Sequence, residues 1–219
     1  MKGFIYSNRS FLIMYLASVI LLLPVMIYFS KGNIHLYINN LNSTWADFFF
    51  KYITNLGSGL AVVFVSILYL FISFRKTLII SVSGIACGLM VQILKQLVFN
   101  QMVRPFKFFE GIRNLHLIDG VQMLSYNSFP SGHSASIFAL CLCLAAFSSS
   151  VNWKVILFCI AVLVAFSRVY LSQHFLVDTY FGSMIGVLMA SIAYIQMNAL
   201  RMTWLDKSLI GIYKKSYEK

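Results

Sequence analysis

The sequence has few charged residues, and acidic ones are the scarcest, with six Asp and Glu among 219 residues. Only 11% of its residues are charged and 60% are hydrophobic, which excludes an ordinary soluble domain, where about a quarter are charged. Its four cysteines fall inside apolar runs, without the spacing of a disulfide framework or a zinc site. The net charge of +11 is scattered along the chain, so nucleic-acid binding is not expected.

Apolar runs long enough to cross a bilayer, about 20 residues each, recur along the chain. They predict six transmembrane helices, because lipid offers no partner for an unpaired backbone group. The predicted spans are roughly residues 11–30, 57–74, 77–98, 131–149, 153–170 and 175–198. No linker, repeat or low-complexity segment interrupts residues 1–219, so we expect one all-α integral membrane domain.

Between the first two spans, residues 43–53 place aromatic side chains at helical spacing. This pattern favours a short helix lying in the outer membrane interface. The alternative is an ordinary loop packed against the bundle.

The distribution of basic residues predicts the orientation. Six spans put both termini on one side, and that side carries ten Lys and Arg residues. The opposite side carries four once Lys95, Arg104 and Arg168 are set aside. Because cytoplasmic loops are enriched in basic residues, the termini are expected to be cytoplasmic.

Three polar clusters interrupt the apolar sequence, and all three fall on the predicted outer face. They are Lys95 with Arg104-Pro105, then Pro130-Ser131-Gly132-His133, then Ser167-Arg168 followed by His174 and Asp178. Unrelated clusters would more often be divided between the two sides. Arginine and lysine bind phosphate oxygens, and a histidine can attack phosphorus. The inventory therefore indicates a phosphate-cleaving site.

His174 and Asp178 are four residues apart and would share one face of a helix. The carboxylate can then fix the imidazole tautomer and leave the other nitrogen free to attack. Taken alone, the pair would indicate only a histidine at a helix start beside an N-terminal carboxylate. The preceding Ser167-Arg168 favours the catalytic interpretation.

The second cluster predicts a helix start. Ser131 is a plausible N-cap, and Gly132 allows an anion to approach the free backbone N–H groups. The alternative is a simple turn, which would leave His133 unexplained. His35 and His116 lie in outer loops outside the clusters, and both are expected to be solvated.

The order and spacing of the clusters resemble the signature of the type 2 phosphatidic acid phosphatase (PAP2) superfamily, which includes membrane lipid phosphatases and vanadium haloperoxidases. The second and third parts match residue for residue. In the first part, eight residues separate Lys95 from Arg104, where the commonest family form has six. A bulge or half a helical turn could absorb the difference, and Lys107 is the alternative third cation.

The resemblance implies a PAP2-type helical bundle whose motifs lie within residues 95–178. It assigns His174 as the nucleophile that forms a phosphohistidine, His133 as the general acid and Asp178 as the residue that orients His174. The phosphate-binding residues that it implies are Lys95, Arg104, Ser131, Gly132 and Arg168. No metal and no other cofactor are expected, because the cations can neutralise the phosphate.

The function that this resemblance implies is a metal-independent lipid phosphatase on the outer face of a bacterial cytoplasmic membrane. Candidate substrates are lipid A phosphates, undecaprenyl diphosphate and phosphatidylglycerol phosphate. One alternative is a phosphotransferase that passes the phosphoryl group from a polyprenyl diphosphate to another lipid. A non-enzymatic alternative is a transporter or lipid-binding protein with vestigial motifs. The partners expected are lipids, and the sequence does not fix the oligomeric state.

Overall fold

The computed structural model describes residues 2–217, with the side chains of residues 3–213, and this part of the chain is helical without strands. The α-helices are α1 (Lys2–Ser7), α2 (Arg9–Tyr28), α3 (Lys31–Asn39), α4 (Thr44–Ile53), α5 (Gly59–Leu70), α6 (Phe74–Ile93), α7 (Pro105–Phe109), α8 (Gly132–Ala146), α9 (Val151–Tyr170), α10 (Leu176–Ala199) and α11 (Leu209–Tyr217). Short 3₁₀ turns occupy Thr54–Gly57 and Thr203–Asp206, and a π-helix at Leu94–Val98 extends α6.

Each predicted span coincides with a helix, and the prediction of an all-helical membrane bundle is confirmed. Four of these helices are long and apolar enough to cross a membrane: α2, α6 with its π-helix, α9 and α10. Helices α4 and α5 meet at an angle of 58° and pass the same test only as a pair. Helix α8 has 15 residues, fewer than a full span needs. The count of six spans therefore stays a prediction.

Residues 43–53 form a helix, α4, as the aromatic spacing predicts. None of its residues is buried, and the side chains of Trp45 and Phe48 are largely exposed. An apolar face without protein cover suits an interfacial helix. Its place in the membrane interface remains a prediction.

Helix α8 forms the centre of the bundle. Ten of its residues are buried, and α6, α9 and α10 pack around it. Its sequence is rich in small side chains, including the free cysteines Cys141 and Cys143, which are both buried. Small residues allow neighbouring helices to approach closely where lipid supplies no hydrophobic driving force between them.

Two glycines, one turn apart on α10, set its contact with α8. A Cβ atom at Gly182 would lie 2.4 Å from the carbonyl oxygen of Ser131, and one at Gly186 would lie 2.3 Å from that of Ala135. No side chain fits at such distances, so only glycine permits this approach. Where the two helices begin, the Ser131 N–H donates to the Asp178 carbonyl oxygen at 3.0 Å. The second and third motif clusters are thereby brought together.

Helix α3 folds over α7 and over the turn that precedes α10. Its His35 side chain is fully buried, with 0% exposed, and stacks against Phe109 and Phe175. The expectation that His35 is solvated is therefore wrong, because residues 31–39 form a packed helix and not an open loop. His116 is exposed, as expected.

The opposite end of the bundle is closed by Arg75, at the start of α6. Its guanidinium donates to both carboxylate oxygens of Asp206, at 2.6 and 3.0 Å. It also donates to the carbonyl oxygens of Met197, Leu200 and Met202. One arginine thus caps the end of α10 and fastens the segment that follows it.

Candidate active site

The three sequence clusters converge at one end of the bundle. Lys95 lies in the π-helix after α6, Arg104 precedes α7, Arg168 lies in the last turn of α9, and His133 and Asp178 lie in the first turns of α8 and α10. Lys95, Arg104, Arg168 and His174 all lie within electrostatic range of the His133 ring. Five separate segments of the chain therefore contribute to one site.

His174 and Asp178 form a buried pair, with 2% of each residue exposed. His174 Nδ1 lies 3.4 Å from Asp178 Oδ2. The same oxygen accepts shorter hydrogen bonds from Ser128 Oγ at 2.5 Å and from the Phe175 N–H at 2.9 Å. These two donors hold the carboxylate in place beside the imidazole, as an orienting role requires.

Burial lowers the pKa of His174 well below its usual value. Contact with Asp178 raises this pKa, but by less than burial lowers it. The ring is therefore neutral at physiological pH, and Asp178 favours a proton on Nδ1. The Nε2 lone pair is then available to attack an electrophile.

Arg104 is held by the loop that precedes α8 and by the turn before α10. Its Nε donates to the Tyr126 carbonyl oxygen at 2.8 Å, Nη1 to that of Gln173 at 3.0 Å, and Nη2 to that of Asn127 at 3.3 Å. A guanidinium has five N–H donors. Nη1 also donates to the Gln173 side-chain oxygen Oε1 at 3.4 Å. These bonds orient the group and leave at least one N–H donor for a ligand.

Arg168 is 9% exposed and has one side-chain bond in the described chain, from Nη1 to Thr54 Oγ1 at 2.9 Å. Its buried Nε has no hydrogen-bond partner among the described residues. A buried donor without a partner is costly. A phosphate oxygen is the kind of acceptor that would satisfy it.

Lys95 lies within electrostatic range of Arg104, Arg168 and Asp178. The π-helix around it takes more residues per turn than an α-helix, which accommodates part of the longer spacing from Lys95 to Arg104. Lys107 instead pairs with Glu110 at the surface, where 40% and 54% of the two side chains are exposed. The structure therefore brings Lys95, and not Lys107, to the cluster.

Ser131 is the N-cap of α8, as the sequence predicts. Its Oγ accepts from the Ser134 N–H at 3.4 Å and from the Ser134 hydroxyl at 3.1 Å. Gly132 is the first residue of the helix, followed by His133. The positive end of the helix dipole thus lies beside His133, where it favours an anion.

Three residues outside the predicted set support the site. Ser128 binds Asp178, Thr54 binds Arg168, and Gln173 holds Arg104 through its carbonyl oxygen. Ser128 and Thr54 carry no sequence signal, because their roles depend on contacts across the fold. Gln173 immediately precedes His174 in the sequence, and that position is a signal that could have identified it as a supporting residue.

Within residues 2–217, no three His, Cys, Asp or Glu side chains form a group that could hold a metal ion. The site is instead dominated by Lys95, Arg104 and Arg168, and Asp178 is the carboxylate that interacts with Lys95, Arg104 and His174. Such an excess of positive charge binds and neutralises a phosphoryl group.

Comparisons with known proteins agree with this arrangement. The sequence model of the PAP2 superfamily matches residues 76–202. The crystal structure of LpxE from Aquifex aeolicus is similar, with 27% identity and a TM-score of 0.65 over 74% of this chain and 92% of that one. So is that of a transmembrane PAP2-type phosphatidylglycerolphosphate phosphatase from Bacillus subtilis, with 21% identity and a TM-score of 0.64 over 90% and 99% of the two chains. No curated protein matches at a significant level.

Proposed function

The chain belongs to the PAP2 superfamily and is a membrane phosphatase, and we propose that it releases phosphate from a lipid through a phosphohistidine on His174. The observation that carries the proposal is the buried His174–Asp178 pair beside Lys95, Arg104 and Arg168, none of which forms a salt bridge with a carboxylate of the described residues. No other group of described residues combines a neutral buried imidazole with such an excess of positive charge.

In the first step, the His174 Nε2 lone pair attacks phosphorus, and the bond from phosphorus to the lipid oxygen breaks. His133 donates a proton to the departing oxygen as general acid. Lys95, Arg104 and Arg168 offset the charge on the phosphoryl oxygens, and N–H groups at the start of α8 bind one of them. Asp178 stabilises the imidazolium that forms on His174.

In the second step, His133 accepts a proton from water, and the hydroxide oxygen attacks the phosphohistidine. The P–N bond breaks, inorganic phosphate leaves and His174 returns to its neutral form. His133 thus acts first as an acid and then as a base, as reversal of proton transfer requires.

The substrate is proposed to be a phosphorylated membrane lipid. The candidates are a lipid A phosphate, undecaprenyl diphosphate and phosphatidylglycerol phosphate; the similar Bacillus subtilis structure is a phosphatidylglycerolphosphate phosphatase. Phosphate release from each purified lipid, in detergent with EDTA, distinguishes these substrates. Adding an unphosphorylated acceptor lipid to the same reactions would reveal a phosphotransferase. With ³²P-labelled substrate, the label would then appear in the acceptor lipid and not in free phosphate. Release from none of them would contradict the proposal.

The covalent intermediate can be tested directly. Wild-type protein mixed with ³²P-labelled substrate and quenched rapidly should carry an acid-labile, alkali-stable label, as a P–N bond does. A His174→Ala variant should carry none. Label that survives acid would contradict a phosphohistidine.

The site is proposed to face outward from a bacterial cytoplasmic membrane, with both termini inside. Asn114, in the loop between α7 and α8, and Lys207, at the opposite end, are both exposed and form a matched pair. In a background that lacks the exposed Cys159, Asn114→Cys should react with an impermeant thiol reagent in intact spheroplasts, and Lys207→Cys only after lysis. The reverse pattern would invert the orientation.

A further inference from the structure

A buried polar network outside the motifs fastens the turn that carries His174. His35 Nε2, on α3, lies 3.1 Å from the Ser172 hydroxyl. Asn39, one turn further along α3, donates to the same hydroxyl at 3.4 Å. All three residues are buried, and the proposed reaction uses none of them. Their contacts therefore need another explanation.

Ser172 has a backbone conformation that requires support. Its φ is +54°, in the left-handed region that residues other than glycine seldom adopt. The N–H groups of Gln173 and His174 both donate to the Arg168 carbonyl oxygen at 3.0 Å. This turn reverses the chain after α9, so the backbone direction at Ser172 determines where the His174 imidazole lies.

The contacts of His35 define which way its hydrogen bond runs. The ring lies against Phe109 and Phe175, with centroids 5.7 and 5.6 Å away. Burial lowers the pKa of His35 to about 4, so the ring is neutral. Nδ1 has no hydrogen-bond partner in the described chain. Since buried N–H groups are rarely left unpaired, we assign the proton to Nε2, which donates to Ser172 Oγ.

We propose that His35 is a positioning residue for the nucleophile, which holds the left-handed turn at Ser172 and thereby directs His174 toward phosphorus. The inference rests on the proposed phosphohistidine mechanism. His35 itself touches neither the phosphate cations nor the reacting nitrogen. Because a misplacement of about 1 Å can cost about a hundredfold in rate, loss of this hydrogen bond should lower kcat more than it changes KM.

Steady-state kinetics on the lipid that wild type hydrolyses test this role. His35→Phe keeps the aromatic packing but removes the donor, and should lower kcat about 10- to 100-fold with KM within about threefold. His35→Gln places an amide N–H near the position of Nε2 and should recover most of the loss. The double variant His35→Phe/Ser172→Gly should be at least about tenfold faster than His35→Phe, because glycine adopts positive φ without support.

The matched control is His116→Phe, which alters an exposed histidine whose ring contacts Asp47 and not the turn at Ser172, and it should leave kcat unchanged. A wild-type kcat in His35→Phe, or a double variant no faster than the single one, would overturn the proposal. If His35→Phe does not yield folded protein, Ser172→Ala removes the hydroxyl alone, and a normal kcat in that variant would have the same consequence. An active His174→Ala protein would instead overturn the phosphohistidine mechanism itself.

Discussion

The two ends of the bundle both contain buried or half-buried arginines, but they use them differently. At one end, Arg75 donates to both oxygens of Asp206 and to three carbonyl groups. At the other end, the Nε of Arg168 has no hydrogen-bond partner among the described residues, and Lys95 and Arg104 lie within electrostatic range of Asp178. A guanidinium whose N–H donors all have acceptors within the protein stabilises the fold. One with N–H donors left over is available to a ligand. The contrast separates an architectural arginine from a phosphate-binding one.

The largest effect is expected at the nucleophile. His174→Ala removes the attacking nitrogen and should reduce kcat by at least about a hundredfold. The variant should keep the wild-type melting temperature in detergent, because the helices around it pack through other residues. Near-normal turnover in folded His174→Ala protein would contradict the proposal that His174 is the nucleophile and that catalysis takes place at this end of the bundle.

A smaller but still severe loss is expected from the third cation. Lys95→Ala should lower kcat/KM by about 10- to 100-fold, because a charge that faces the phosphoryl group is removed from a water-poor site. Lys107→Ala is the matched control, since Lys107 already pairs with Glu110 at the surface. It should change kcat/KM less than about threefold, since a surface ion pair contributes little. The opposite ranking would place Lys107 in the phosphate site.

At the opposite end, a change should affect stability without affecting chemistry. Arg75→Met leaves three carbonyl groups and Asp206 without their donor. We expect the melting temperature to fall by a few degrees, while kcat per folded molecule stays at the wild-type value. A selective loss of kcat at unchanged melting temperature would show that the two ends are functionally coupled.

The smallest effect is expected from chelation. The proposed neutralisation of the phosphoryl group uses Lys95, Arg104 and Arg168, so EDTA should leave the rate of phosphate release unchanged. Loss of activity in EDTA and its recovery with Mg²⁺ would require a metal ion in addition to these cations.

Sequence reasoning recovered the PAP2 membership, the helical membrane fold and the enzyme class, and the comparisons confirm all three. These features follow from apolar run length and from motif spacing, which are local properties of the chain. The site residues named from the motifs are brought together by the fold, but their catalytic roles stay predictions.

The sequence could not reveal the contacts that support those residues. Ser128 lies 50 positions from Asp178, and Thr54 lies 114 positions from Arg168, so neither pairing follows from spacing. The burial of His35 does not follow from the sequence, because helix α3 is short and only weakly apolar on average and is buried by the later segments that it covers. The longer spacing from Lys95 to Arg104 is visible in the sequence, but the π-helix at Leu94–Val98 that accommodates part of it is visible only in the structure.

The glycine contact between α8 and α10 has a consequence for how the protein tolerates different membranes. At Gly182 and Gly186 the two backbones meet without intervening side chains, so no rotamer at these points can respond to a change in lateral pressure. A thicker or thinner bilayer can tilt a peripheral helix such as α2 at modest cost in free energy. It should change the distance between the central helices α8 and α10 very little. The separation between His133 and His174 should therefore stay constant while lipid composition, growth temperature and bilayer thickness vary around it.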